Sequence, residues 1–370
     1  MLRPVFEPIA EIVGKLVFSL PSTYDGLLHS DSVAMYVLCL FLVFISLSSA
    51  AIWTYFAKGE VTQKTKYIFI VFLRHYLALT LLKYGFDKIF LNQFQDPEAN
   101  LLYTKLGLMN PDILYWSSMG TSPEYSIFTG LMEVVPAILL LFRRTAFAGS
   151  LMALFVLMNV VMINFGFDIT VKLYSLFLLL LSFLLIFSDR QKLFDVFGLR
   201  IGTTQTPLES ANAFSPRKQG IKTTTFVLLV FLLESVSPYL RNQDPGGFDL
   251  MNLNGAWLVT KQEHQYHDVW VAQNDIRRVF FHSKGYFIVE NFDGTMQDCS
   301  AAMSEDSKSL ILKKEKEIPE RTFEIELLKN GTELSLSNND VRLTATRVSL
   351  EDLPLRQRTF HWTSEGVAGQ

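Results

Sequence analysis

The stretch RHYLALTLLKYGFDKIF, residues 74–90, decides how the membrane part of this chain folds, because it places ionisable side chains inside an apolar segment. The residues before it, YIFIVF at 67–72, have the composition of a membrane-spanning helix. The stretch itself contains Arg74, His75, Lys83, Asp87 and Lys88. A lone Arg or Lys near the bilayer centre costs roughly 2.5–3.5 kcal/mol on insertion scales. We therefore expect these side chains to have partners, or to face a polar cavity, inside a helical bundle.

The overall composition also indicates a membrane protein. Of the 370 residues, 49% are hydrophobic and only 19% are charged, and the mean hydropathy is +0.25. Soluble domains carry nearer a quarter of charged residues. The net charge of -3 argues against nucleic acid as a main partner. The two cysteines, Cys39 and Cys299, are far apart and belong to no metal-binding motif, so the sequence predicts no metal site.

Six segments are apolar enough to cross a bilayer as helices, a crossing that takes about 20 residues. They are residues 36–57, 67–90, 125–142, 145–165, 170–188 and 223–240. Residues 1–35 are expected to form an amphipathic segment on the membrane surface. The first span and a basic loop occupy 36–66, four spans form a bundle over 67–188, and a second basic loop at 189–222 precedes the sixth span at 223–240.

Basic residues alternate along the chain and predict its orientation. They follow the first, third and fifth spans, at Lys58, Lys64, Lys66, Arg143, Arg144, Arg190, Lys192, Arg200, Arg217, Lys218 and Lys222. The loops at 91–124 and 166–169 are poor in them. Lys and Arg near span ends stay on the cytoplasmic side. Both termini, and with them residues 241–370, are therefore expected outside the cytoplasm.

Residues 250–350 have the alternating apolar pattern of short β-strands. Eight such runs are GAWLVTKQ, RRVFFHS, GYFIVEN, MQDCSAAM, SLILKK, RTFEIELL, TELSLS and VRLTATRV. They predict an up-and-down meander closed into a small barrel, with an antiparallel sandwich as the alternative. Asn330-Gly331 suits a type I′ hairpin, and residues 351–370 are expected to be a frayed tail.

The start of this β domain, Gly255-Ala256-Trp257, resembles the G-x-W opening of lipocalin-like barrels. The resemblance implies that an arginine of the last strand packs on the tryptophan. Arg342 and Arg347 are the two candidates for that role.

Inside the bundle, the depths of two charged residues match. At about 1.5 Å per residue, Arg74 lies roughly 12 Å from the cytoplasmic end of its span, and Glu133 lies roughly 13 Å from the corresponding end near Phe142. Sequential antiparallel helices usually pack together. The sequence therefore predicts an Arg74–Glu133 ion pair, whose role is either functional or confined to specifying helix packing.

A second polar layer is expected nearer the outer surface. Its members are the candidate substrate-binding residues Lys83, Lys88, Asn159, Asn164, Asp168 and Lys172. The excess of lysine predicts an outer cluster that attracts an anionic substrate. The alternative is that Lys88, Asp168 and Lys172 extend their side chains to the interface and have no role in binding.

The four spans between residues 67 and 188 resemble the DoxX family of bacterial membrane proteins. The resemblance is carried by RHYLALTLLKYGFDKIF, by GLMEVVPAILLLFRRTAFAGSLMAL and by MINFGFDITVKLYSLFLLLLSFLL. Arg74, Gly85, Lys88, Gly130 and Glu133 match its pattern. The first span, the sixth span and the β domain are additions to the family core.

This resemblance implies a place in the bacterial inner membrane, with the β domain in the periplasm. It also implies a subunit or accessory of a quinone-linked redox process of the sulfur or thiol oxidation class. Glu133 would then exchange protons, and Arg74 would stabilise developing negative charge. Quinone is the expected cofactor, and the bilayer and a redox protein are the expected partners. The alternative is a non-enzymatic envelope scaffold, or a protein that binds lipid or a small ligand.

Overall fold

A computed structural model describes residues 3–56, 63–196, 225, 227, 229–233, 252–264, 276–304, 308–313, 320–339 and 341–357. The chain divides into two compact units. The first contains residues 1–93 and 124–235, and the second contains residues 94–123 and 236–370. Residues 94–123, which the sequence analysis assigned to the bundle at 67–188, thus belong to the same unit as the β domain.

The first unit is helical. Its helices are α1 (Arg3–Val17), α2 (Val33–Phe56), α3 (Gln63–Ile89), α6 (Pro123–Leu141), α7 (Ala146–Gly166), α8 (Lys172–Ser188) and α9 (Arg190–Val196). Four of them, α2, α3, α6 and α7, are long and apolar enough to cross a membrane, and α8 is apolar but has only 17 residues. The predicted α-helical membrane part is therefore confirmed at these helices.

The remaining predictions for this unit are met only in part by described residues. Within the predicted loop at 189–222, α9 is a short helix, and residues 197–222 lie outside the described residues. Within the predicted span at 223–240, residues 225, 227 and 229–233 are helical, and the others lie outside the described residues. Phe231 of this segment packs its ring against Phe86 and Phe90 of α3, with centroids 5.5 and 5.1 Å apart.

The N-terminal segment is joined to the bundle by a helix cap. The Asp31 carboxylate accepts hydrogen bonds from the backbone N–H groups of Lys172 (2.7 Å) and Leu173 (3.1 Å) at the start of α8. The first N–H groups of a helix lack partners within the helix, and the helix dipole favours a negative charge there. Asp31 therefore caps α8 from a position 141 residues away in sequence.

The second unit contains a closed antiparallel barrel, as predicted. Its strands are β1 (Gly255–His264), β2 (Ile276–His282), β3 (Tyr286–Asn291), β4 (Met296–Met303), β5 (Ser309–Lys313), β6 (Arg321–Leu328), β7 (Glu333–Ser337) and β8 (Val341–Val348). Each strand pairs with the next, and β8 pairs back onto β1, so the barrel replaces the sandwich alternative. The inward positions of the strands form one apolar core around Trp257.

Arg347 is the arginine that packs on Trp257. It lies opposite Trp257 in the β1–β8 register, and its guanidinium carbon is 5.6 Å from the ring centroid. Its two terminal nitrogens donate to the carbonyls of Asn252 and Asn254, each at 3.0 Å. The Trp257 indole N–H donates to the Leu253 carbonyl at 2.8 Å. The guanidinium of Arg347 and the indole N–H of Trp257 thus both have backbone hydrogen-bond acceptors at this end of the barrel.

One local prediction in the β domain is confirmed and another is wrong. Asn330 (φ 59°, ψ 34°) and Gly331 (φ 84°) have the positive φ values of the predicted type I′ turn, and the Thr332 N–H donates to the Lys329 carbonyl at 3.4 Å. The strand pairing ends just outside this turn, at Leu328 and Glu333. The segment after residue 350 is not frayed over its described part. Arg356 forms an ion pair with Asp96 and donates to the Pro97 carbonyl at 3.4 Å.

Residues 94–123, which we name the collar, cover part of the outer barrel face. The collar contains α4 (Ala99–Tyr103), a 3-10 helix (Leu106–Leu108) and α5 (Pro111–Gly120). The ring of Tyr103 lies 4.2 Å from the Arg278 guanidinium carbon and 5.9 Å from the Phe280 ring. Arg278 in turn donates to the buried Glu290 carboxylate at 2.8 Å. Tyr103 is therefore a packing residue of this unit, and outward apolar residues of β2 and β3 are covered.

Candidate functional site

The central feature of the bundle is a buried ion pair between α3 and α6. Lys88 Nζ donates to Glu133 Oε1 at 2.5 Å, and the two side chains are only 10% and 5% exposed. Glu133 Oε2 is enclosed and has no hydrogen-bond partner among the described residues. In this pair the Lys88 ammonium balances the charge of the Glu133 carboxylate, and Oε2 of that carboxylate can still accept a hydrogen bond from another group.

Two glycines allow the helices to approach closely enough for this pair to form. A Cβ placed on Gly130 would lie 2.6 Å from the Gly85 carbonyl oxygen and 3.0 Å from Lys88 Cβ. A Cβ placed on Gly85 would lie 2.9 Å from the Gly130 carbonyl oxygen. Small residues at such crossings let membrane helices pack backbone against backbone. Glu133 follows Gly130 by one helical turn and therefore faces the end of α3.

A second ion pair and a group of tyrosines lie close to the first pair. Lys83 Nζ donates to Asp87 Oδ2 at 2.7 Å, where the Lys83 side chain is 49% exposed and that of Asp87 is 9% exposed. Lys83 Nζ also lies 5.4 Å from the centroid of the Tyr84 ring. The Tyr84 ring lies 6.5 Å from that of Tyr174 on α8. Polar groups from α3, α6 and α8 are thus brought to one region of the bundle.

The predicted Arg74–Glu133 pair is wrong. The contacts between Gly85 and Gly130 set the register of the two helices, and they place Glu133 beside the last two turns of α3. Arg74 precedes Gly85 by 11 residues (85 − 74) in the unbroken helix α3, which is about 17 Å at 1.5 Å per residue. The depth estimate failed because it counted from apparent span ends, whereas α3 begins at Gln63 and the glycines decide the alignment. Arg74 is buried at a different level.

The predicted outer cluster of excess positive charge is also not what the structure contains. Each of its three lysines pairs with a carboxylate: Lys83 with Asp87, Lys88 with Glu133, and Lys172 with Asp168 at 2.7 Å. These local pairs neutralise the charge that was expected to attract an anion. Snorkelling, the alternative reading, is wrong for Lys88, because its ammonium group is bound to Glu133 inside the bundle.

The other predicted residues of that layer occupy different environments. Asn159 is exposed on α7. Asn164 is buried, and its Nδ2 has no hydrogen-bond partner among the described residues. The Asp168 side chain is 82% exposed, and its residue has a positive φ of 53° just after α7. The structure thus places these three residues in different environments, and their role in binding a substrate stays a prediction.

The predicted site residues did not include Asp87, Tyr84 or Tyr174. The spacing of Lys83 and Asp87, four residues apart on a helix, is a signal for an ion pair that the sequence did offer. The meeting of Tyr84 with Tyr174 had no such signal, because it depends on how α8 packs against α3.

The barrel interior offers little room for a ligand. Its cavity measures about 50 Å³ and is bordered by apolar side chains with Gln297 and the buried thiol of Cys299. Pockets that bind small molecules typically measure about 300–1,000 Å³. Among the residues that the structure describes, no group of three or more His, Cys, Asp or Glu side chains is placed to hold a metal ion.

Comparison with known proteins identifies a bacterial relative. No family model matches the chain, and no solved structure matches it. The uncharacterised protein YwoB of Bacillus subtilis (strain 168) is 32% identical to it over 139 residues, which are 37% of this chain and 83% of YwoB. That identity over most of the relative's length shows common descent, and the chain therefore belongs to the family of YwoB.

Proposed function

We propose that this protein is a membrane subunit or accessory of a quinone-linked redox process of the bacterial envelope, in the sulfur or thiol oxidation class. The observation that carries the proposal is the buried Lys88–Glu133 pair with its open oxygen, Glu133 Oε2. The DoxX-like pattern of the bundle, which includes Gly85, Lys88, Gly130 and Glu133, adds support from resemblance.

The residues around the pair fit a quinone head group in one specific respect. A buried polar atom without a hydrogen bond is unfavourable, and a hydroxyl group of the reduced form, the quinol, would donate to Glu133 Oε2 and relieve that penalty. Gly85 and Gly130 keep the helix backbones close, so the pair is enclosed by apolar side chains such as Val134. When bound, a quinone takes up a proton with each electron that it accepts.

In this mechanism Glu133 holds and transfers the proton. The Lys88 ammonium stabilises the carboxylate in its ionised form, because an opposite charge nearby favours the charged state. With Oε2 protonated, the Lys88 ammonium would be available to donate a hydrogen bond to an oxygen atom of a bound quinone. Asp87 and the half-exposed Lys83 lie next along α3 and connect this region towards water. Electrons are exchanged with a partner redox protein.

We further propose that the membrane is the bacterial inner membrane and that the β domain is periplasmic. Two observations support this placement. The basic loops lie on the opposite side of the predicted spans. The collar, which joins α3 to α6, packs in one unit with the barrel, so both belong on the same side of the membrane. The chain must then cross the membrane an even number of times between the collar and the barrel. The six-span prediction agrees, because it places the third to sixth spans between them.

The test is to purify the full chain from bacterial membranes, extract it with organic solvent and quantify quinone by mass spectrometry. We expect stoichiometric quinone with the natural sequence. Glu133→Gln keeps the size of the side chain and removes its charge. A hydrogen bond to a charged group contributes about 1.5–3 kcal/mol, so we expect this variant to retain about 10- to 100-fold less quinone.

Glu124→Gln is the matched control, because Glu124 is exposed in the first turn of the same helix. It should retain quinone at the natural level. Absence of quinone from the natural protein, or equal retention by Glu133→Gln and Glu124→Gln, would count against the proposal.

The second candidate is a non-enzymatic envelope scaffold or a protein that binds lipid or a small ligand. The observation that favours it is a groove of about 390 Å³ on the outer face of the barrel beneath the collar. The same extraction separates the two candidates. A co-purified lipid or small molecule in place of quinone, together with normal folding of Glu133→Gln, would favour the second.

A further inference from the structure

The groove beneath the collar has the size of a small-molecule site. Its volume of about 390 Å³ lies within the range of about 300–1,000 Å³ typical of ligand pockets. One wall is made by the outward-facing residues of β2, β3 and β4, and the other by α4, the 3-10 helix and the start of α5. Both walls belong to the second unit. Its collar contacts the barrel through Tyr103 and contacts the segment after β8 through the Asp96–Arg356 ion pair.

The groove combines an apolar floor with an aromatic face. Ile288 and Met296 project from neighbouring strands, and Met109 and Ile113 face them from the collar. Tyr286 contributes a ring at one side. Methionine side chains adapt their shape to a bound apolar group, and a tyrosine ring attracts a cation placed over its face.

The charge of the lining is negative. Among the described residues that line the groove, Asp298 is the one with a full charge at neutral pH. His282 also lines it, but burial lowers the pKa of His282, so its imidazole is uncharged there. Lys105, which adjoins the lining residue Thr104, keeps its positive charge while it donates a hydrogen bond to the Asp293 carbonyl at 2.7 Å, beside Gly294. Within the described lining itself, Asp298 is the charged side chain, and its carboxylate favours a cation over an anion.

An amide acceptor adds to this preference. Asn100 lines the groove, and its Oδ1 has no hydrogen-bond partner among the described residues. If the Asn100 side chain turns towards a ligand, its Oδ1 therefore loses no hydrogen bond within the described residues. Asn110 lines the same wall. The polar groups that the groove offers to a ligand thus include two amides and one carboxylate, all of which accept from an N–H donor.

We propose that this groove binds a small amphiphilic amine, whose ammonium group pairs with Asp298 while its apolar body lies against Ile288, Met296 and Tyr286. The proposal does not depend on the quinone-linked function, because it concerns residues of the second unit alone. It assigns to the collar the role of forming one wall of a binding site.

The test uses three probes with a shared phenylethyl or benzyl body: 2-phenylethylamine, 2-phenylethanol and phenylacetate. Each is titrated by calorimetry into the full chain in lipid nanodiscs, with empty nanodiscs subtracted. We expect saturable binding of the amine with a Kd of about 1 mM or tighter, and at least about tenfold weaker binding of phenylacetate. The neutral alcohol should fall between them.

Asp298→Asn should bring the affinities for amine and alcohol within about twofold of each other. Asp298 is exposed on β4, so this change is compatible with the fold. Glu326→Gln is the matched control, because Glu326 is an exposed acid on β6, outside the groove lining. Its amine affinity should equal that of the natural protein.

Three results would overturn the proposal: no saturable binding of 2-phenylethylamine, equal binding of the amine and phenylacetate, or equal loss of amine binding in Asp298→Asn and Glu326→Gln. None of these results bears on Glu133, so failure here is distinguishable from failure of the quinone-linked function.

Discussion

Replacing Glu133 with leucine leaves the Lys88 ammonium enclosed in the bundle without its carboxylate. The two side chains are 5% and 10% exposed, so water cannot take over the role of the missing partner. Loss of one member of a buried ion pair costs about 3–5 kcal/mol. We therefore expect Glu133→Leu to lower the free energy of unfolding by about 3 kcal/mol.

Lys88→Met should cost a similar amount, since it strands the carboxylate instead. The double variant removes both charges and leaves apolar side chains of suitable size. Replacement of a whole buried pair by apolar residues is often neutral or stabilising. We therefore expect the double variant to unfold within about 1 kcal/mol of the natural protein, which corresponds to a coupling of several kcal/mol between the two sites.

The measurement is reversible unfolding in mixed micelles with rising SDS, followed by far-ultraviolet circular dichroism. A parallel cycle with Arg74→Leu and Glu133→Leu serves as the control. Those residues lie about 17 Å apart along the helix direction, and distant sites usually contribute additively. Additive losses for Lys88 with Glu133, or strong coupling of Arg74 with Glu133, would refute the register that Gly85 and Gly130 impose.

Three further predictions follow from individual contacts. Gly130→Ala should destabilise the bundle by at least about 2 kcal/mol, because the added methyl group overpacks the helix contact. Gly166→Ala is the control and should be nearly neutral, since its Cβ would meet no atom within 4 Å; unfolding in mixed micelles measures both variants. Asp31→Ala should cost about 1–2 kcal/mol through loss of the α8 cap, and faster hydrogen exchange of the Lys172 and Leu173 amides would report it. Burial lowers the pKa of His282 from its ordinary value of 6.5; Glu98 opposes this change and Lys284 reinforces it. The folded protein therefore binds a proton at His282 less readily than the unfolded chain, so the free energy of unfolding falls as the pH drops below 6.5. Thermal unfolding measured between pH 7 and 5 should show a smaller decrease in melting temperature for His282→Gln than for the natural protein.

Much of the fold follows from local patterns that need no tertiary information. Membrane helices appear as long apolar runs because a bilayer demands about 20 such residues. The strands of the barrel appear as alternating residues because the pleat sends successive side chains to opposite faces. The pairing of Trp257 with an arginine of the last strand also followed from a short motif, and Arg347 fills the position.

The sequence of strands β2 and β3 contained a pattern that predicts a covering segment, but the sequence analysis did not use it. The runs RRVFFHS and GYFIVEN carry apolar residues at positions of both parities, which include Phe280 and Ile288 on the outward face. A strand that is apolar on both faces is covered on both faces. The sequence thus indicated a cover for these strands, but only the structure identifies the cover as residues 94–123.

The sequence by itself determined which charged residues enter the bundle, because Arg74, Lys83, Asp87, Lys88 and Glu133 stand inside or beside apolar runs. The partner of Glu133 was decided only by tertiary structure. Estimates of depth count residues from span ends, and an error of a few residues moves a side chain by several ångströms along its helix. The contact of Gly85 with Gly130 sets the register by backbone packing between helices far apart in sequence, and that contact brings Glu133 to Lys88 and separates it from Arg74.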